Sequence, residues 1–177
     1  MPPKRDPSQI AQSLSSSTQK AAACMKQKCK PELDKVKEKN KAIYAKLDVI
    51  RKEVKDIVTC LKRGTLKKED AKPKLIKATK ASETLILKGL KNEESSHACA
   101  VKNCSTEIMA LFRAFEELLE LMCASDKRSG SLAALCETKK DVSEIVSGKK
   151  KLDTKSYQKV WGTLVRNLAS SMQRSMS

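Results

Sequence analysis

Residues 31–64 read "PELDKVKEKNKAIYAKLDVIRKEVKDIVTCLKRG", and their apolar spacing decides the fold class. Leu33, Val36, Ile43, Leu47, Ile50, Val54, Ile57 and Leu61 recur in alternating steps of three and four. With Leu33 at heptad position a, Leu47, Val54 and Leu61 share that position, and Val36, Ile43, Ile50 and Ile57 fall at d. Asn40 takes the remaining a position, where a buried polar residue fixes register and partner number. Pro31 suits a first helical turn, Glu32 and Asp34 suit its positive end, and Gly64 suits the residue after the last turn. The stretch is a long helix with a coiled-coil-like seam: Val36, Asn40, Ile43, Leu47, Ile50, Val54, Ile57 and Leu61. One helix of an intramolecular bundle has the same period and is the preferred reading. A coiled coil that pairs two chains is the alternative.

The rest of the chain follows the same pattern. Aromatic residues make up 3% of the 177 residues, with five Gly and five Pro, and the abundant residues are helix formers. We therefore expect an all-α protein, an antiparallel bundle of five or six helices. Residues 1–8, with Pro2, Pro3 and Pro7, form a flexible basic arm, and residues 9–177 form a single helical domain. A first helix runs from Ser8 to Cys29, stopping before Pro31. Residues 65–91 give a short turn of helix, a break near Pro73, and a helix to Gly89 whose apolar positions include Leu75, Ala78 and Leu85. One long segment, 92–125, carries the stripe Ile108, Leu111, Phe112, Phe115, Leu118, Leu119 and Met122 and forms the central core helix. "SDKRSGS" (125–131) is a turn, followed by a helix over 131–146 and the basic loop "SGKKKLD" (147–153). Asp153 or Thr154 caps a last helix anchored by Tyr157, Val160 and Trp161.

Seven cysteines and one histidine are the residues with chemical reach. "CMKQKC" (24–29) and "HACAVKNC" (97–104) share a Cys-x4-Cys spacing, so Cys24, Cys29, Cys99, Cys104 and His97 are candidate zinc ligands. Helical geometry argues against it. Five residues turn a helix by about 140° and advance it roughly 7.5 Å, so two such thiols cannot meet one ion. The same argument weakens a pair of disulfide rungs, Cys24–Cys104 with Cys29–Cys99, and leaves one rung open. Cys123–Cys136 is a candidate staple across a turn. The preferred reading makes most of these cysteines small reduced core residues, as in cytosolic proteins. A particle that makes its own disulfides is the exception. An odd count leaves at least one thiol free or joined to another chain.

The formal net charge of +16 comes from 37 basic and 21 acidic residues. It spreads over most of the chain, with one acidic island of net −4 at 92–125. The start of the chain lacks an apolar secretion signal, and no stretch is apolar enough for a membrane span, so an intracellular, non-secreted protein is expected, with a virus particle and the nucleus among the candidate locations. Phosphate loops, nucleophile elbows and paired-histidine sites are absent, which argues against an enzyme; no cofactor is implied. Two functions fit. The first is a non-catalytic structural or assembly protein that docks into a larger complex, such as a minor capsid or scaffold component of a virus particle. It would meet acidic surfaces of other subunits through helix faces and through Lys4, Arg5, Lys67, Lys68, Lys149, Lys150 and Lys151, as a homo- or hetero-oligomer. The second is sequence-nonspecific, histone-like binding of nucleic acid through backbone contacts. Only seven basic residues are Arg and aromatics are scarce, which argues against base reading.

Overall fold

A computed structural model describes residues 5–124 and 130–176. Among them are seven α-helices and no strand: α1 (Pro7–Lys28), α2 (Lys30–Lys62), α3 (Lys68–Asn92), α4 (Glu94–Asn103), α5 (Ser105–Cys123), α6 (Gly130–Val146) and α7 (Thr154–Ser175). The chain is all-α, with one helix more than the upper expectation. Of the expected arm, residues 7 and 8 already belong to α1, where proline's fixed φ suits the first turn. Lys4 and the 125–129 part of the expected turn lie outside the described residues.

Three boundaries depart from expectation, each for a physical reason. Pro73 does not break α3. It sits in the second turn, where the missing N–H costs a single bond to the Glu69 carbonyl and the helix continues beyond it. Gly89 does not end α3 either; the helix runs on to Asn92. Segment 92–125 is two helices, not one, because the chain leaves helical geometry at Cys104 (φ −128°, ψ 26°). Asn103, Cys104, Ser105 and Thr106 are all weak helix formers, and Glu107 then suits the first turn of a new helix.

Two glycines act where L-residues rarely can. Gly64 (φ 71°) and Gly148 (φ 78°) turn the chain out of α2 and α6 in the left-handed region. The Thr65 N–H then donates to the Cys60 carbonyl and that of Lys150 to the Glu144 carbonyl. At the start of α7, Asp153 accepts from the Ser156 N–H at 2.7 Å, and the Ser156 hydroxyl accepts from the Asp153 N–H at 3.0 Å. This reciprocal cap satisfies two donors that the first turn would leave unpaired.

The main core is built from α1, α4, α5, α6 and α7. Ala21, Cys24, Ala100, Ile108, Phe112, Leu119, Val142, Ile145, Tyr157 and Val160 pack in one buried cluster. Phe112, Tyr157 and Trp161 meet within 6.1 Å, ring to ring, and burial pushes the Tyr157 hydroxyl above its ordinary pKa. Among the described residues, none of α2 or α3 belongs to this cluster. The α2–α3 pair is attached to the body near Asn40, Gly89 and Leu90. There the Gln158 amide of α7 donates to the Leu90 carbonyl, while within the pair the Asn40 amide donates to the Gly89 carbonyl at 3.2 Å and the Asn92 amide donates to Asn40.

Candidate interaction surface

The two Cys-x4-Cys stretches are stapled to each other. Cys24 is joined to Cys104 and Cys29 to Cys99, with Cα–Cα distances of 6.0 and 5.9 Å. The 140° objection assumed that each stretch was one continuous helix, and neither is. Cys29 ends α1 with φ −124° and ψ 25°, nearly the same conformation as Cys104. At Cys29 the cause is Pro31, whose ring would collide with the Gln27 carbonyl if the helix continued and which has no N–H to offer it. Each break re-aims the second thiol of its stretch toward the first thiol of the other, and the two rungs run antiparallel. The Lys28 ammonium, at 3.2 Å, donates to the Asn103 carbonyl left free at the end of α4. Cys123 and Cys136 are also bonded, joining the end of α5 to α6. The expectation of mostly reduced core thiols is thus corrected: six cysteines are paired, and Cys60 is free and half-buried.

Those bonds also occupy the four candidate zinc thiols in this oxidised form. Cys24, Cys104 and Glu107 converge within 4.8 Å, but the two sulfurs are bonded to each other and offer no thiolate. His97 is not part of this cluster. Its Nε2 is 3.1 Å from the Glu93 carboxylate, its ring meets Tyr157 edge-on, and it is buried against the body. Its Nδ1 is buried without a hydrogen-bond partner.

The seam of α2 divides into two halves. Val36, Asn40 and Ile43 are buried, whereas Leu47, Ile50, Val54, Ile57 and Leu61 are only half-buried against α3. Between Tyr44 and Lys88 the only buried residues are two alanines, Ala71 and Ala78. Tyr44, Val49, Val58 and Ile86 are exposed on the same hairpin, Val49 to 55%. The outer hairpin therefore has two helices and no third layer. The accessible surface of the chain is 11634 Å². A compact monomer of 19.6 kDa would show about 8,600 Å².

A groove of about 430 Å³ runs along one side of this hairpin. Its floor is Ile50, Ile57, Ala78 and Ala81; Glu53 and Asp56 line the α2 rim, and Lys74 and Lys77 line the α3 rim. The sequence held a signal for it: small alanines at 78 and 81 opposite a branched seam let two backbones approach and leave room above. A second cleft of about 290 Å³, between α3 and α7, is lined by Lys91, Lys155, Lys159 and Arg166 without a carboxylate. Sequence reading missed it because its cations come from distant segments. Lys159 also reaches the Asp141 carboxylate at 3.5 Å.

The basic residues singled out from sequence are not gathered into one patch. Lys67 and Lys68 sit at the outer start of α3, roughly 33 Å along the helix from Leu90, while Lys149–Lys151 lie in the loop before α7, which docks at Leu90. Lys150 faces Glu144 at 3.6 Å, and Arg5 is 3.4 Å from Glu117 of the acidic α5. Comparison with known proteins gives no matching family model, no matching curated protein and no matching solved structure.

Proposed function

We propose that the protein is a non-catalytic structural or assembly component: a disulfide-stapled helical body that presents the α2–α3 hairpin to a larger complex. The observation that carries this reading is the uncovered seam. A soluble helix pair normally closes such a row of Leu, Ile and Val with further helices, and here the row stands half-open along the whole outer hairpin. Three disulfides in one small domain fit an oxidised setting better than the nucleus, and a minor capsid or scaffold role in a virus particle that forms its own disulfides fits both features. No helix among the described residues is long and apolar enough to cross a membrane.

Chemical crosslinking of the native assembly, read by mass spectrometry, tests this. Crosslinks to other chains should concentrate on the hairpin lysines, such as Lys46, Lys52 and Lys74. Crosslinks confined to the body would refute the hairpin as the docking element. The cationic cleft between α3 and α7 supports a second reading, nonspecific binding of nucleic acid through its phosphates. Titration of duplex DNA at two salt concentrations separates the two. Sub-micromolar affinity that falls steeply with salt favours nucleic acid, and weak binding at modest salt removes that reading.

A further inference from the structure

We infer that the groove on the α2–α3 hairpin is closed by the same groove of a second copy of this chain, giving a four-helix interface. This rests on the docking role proposed above and names the partner. The groove is self-complementary in charge: its α2 rim carries Glu53 and Asp56, and its α3 rim carries Lys74 and Lys77. Among the described residues, none of these four side chains has an ion-pair partner within 4.0 Å, so all four charges are available. Carboxylates three residues apart on one rim face ammonium groups three residues apart on the other, a matching rise of about 4.5 Å.

Two kinds of two-fold axis could lay one groove on another. An axis across the helices would set α2 on α2, opposing acid to acid and lysine to lysine. An axis along the groove sets α2 of each chain on α3 of its mate and keeps every residue at its own height. Glu53 and Asp56 then stand level with Lys74 and Lys77 of the second copy, twice over, as an isologous contact requires. Electrostatics selects the second arrangement. The floor supplies the apolar part, since Ile50 and Ile57 continue a d-type seam that α3 alone leaves half-open.

The test is sedimentation of the full oxidised chain and of two double variants, with circular dichroism and intact mass confirming helix and disulfides in each. Wild type should sediment as a dimer. E53K/D56K should face lysine with lysine, K74E/K77E should face acid with acid, and each should weaken self-association roughly hundredfold. Mixed in equal amounts, the two variants should restore a dimer, because each contact then pairs opposite charges again. The four-fold variant E53K/D56K/K74E/K77E should dimerise with itself. A monomeric wild type, or a dimer that neither double variant weakens, overturns the inference. A monomer that still crosslinks to other proteins through its hairpin leaves the docking role standing while removing the second copy as its partner.

Discussion

Removing the two disulfide rungs should produce a strongly non-additive loss of stability. In the chain-entropy picture, Cys24–Cys104 alone, with a sequence separation of 80, restrains the unfolded chain by about 4.5 kcal/mol. Cys29–Cys99, with a separation of 70, would contribute nearly as much on its own, about 4.4 kcal/mol. The rungs are nested, however. Once one is closed, the other only closes the small ring made by residues 24–29 and 99–104, roughly a dozen residues and about 3 kcal/mol. Replacing Cys29 and Cys99 by Ala should therefore cost about 3 kcal/mol, and replacing all four cysteines about 7 kcal/mol. The second rung removed then costs more than the first. Against a total of 5–15 kcal/mol typical of a domain, the four-fold variant is marginal. Urea unfolding of the wild type, both single-rung variants and the four-fold variant provides the assay. Intact mass after alkylation without reductant must first show one reactive thiol, Cys60, in the wild type. Single-rung losses that simply add to the four-fold loss, or a four-fold loss below about 2 kcal/mol, would refute the nested-rung reasoning.

Further outcomes follow from the helix contacts. Asn40 is fully buried between the Gly89 carbonyl and the Asn92 amide, so Asn40→Ala should cost about 1–3 kcal/mol in thermal unfolding by leaving both unpaired. A Cβ at Gly89 would stand 3.4 Å from the Asn40 Nδ2, ordinary contact, so Gly89→Ala should stay within about 1 kcal/mol of wild type, while Gly89→Leu should lose about 2–3 kcal/mol. The hydrogen bond from the Ser156 N–H holds the Asp153 carboxyl below its ordinary value of 3.8. A lowered folded pKa means that the cap stabilises above that ordinary value and loses its effect as pH falls through the folded one. The protection of the Ser156 amide, its exchange relative to the intrinsic peptide rate at the same pH, should fall on acidification below about pH 4, and Asp153→Asn, which keeps a capping oxygen but cannot titrate, should abolish that fall.

Much of the fold is legible one helix at a time. The three-and-four spacing from Leu33 to Leu61, Pro31 at a start, Gly64 at an end and Asp153 as a cap are local signals, and each acts through bonds within a few residues. Pro73 and Gly89 misled because their costs depend on position and neighbour. A proline in the second turn forfeits one bond, and a glycine near a helix end costs only about 1 kcal/mol, which the packing of α3 on Asn40 outweighs. The cysteine reading failed at one step. A Cys-x4-Cys spacing excludes paired rungs only in a continuous helix, and the break at Cys104 has no proline to announce it.

The candidate site was half visible. The heptad seam named the residues, but period alone cannot say whether a stripe is covered, since a bundle core and an open groove repeat alike. Amino-acid order by itself determined that this chain is helical, basic, and rich in thiols, two pairs of which share one spacing, because helix propensity, charge and spacing are properties of neighbouring residues. Only the tertiary structure decided that Cys24 faces Cys104 and Cys29 faces Cys99, that Lys91 and Arg166 share a cleft, and that the seam beyond Ile43 lies half-open. Those facts depend on which distant segments meet, and that is set by how the whole chain buries its apolar area.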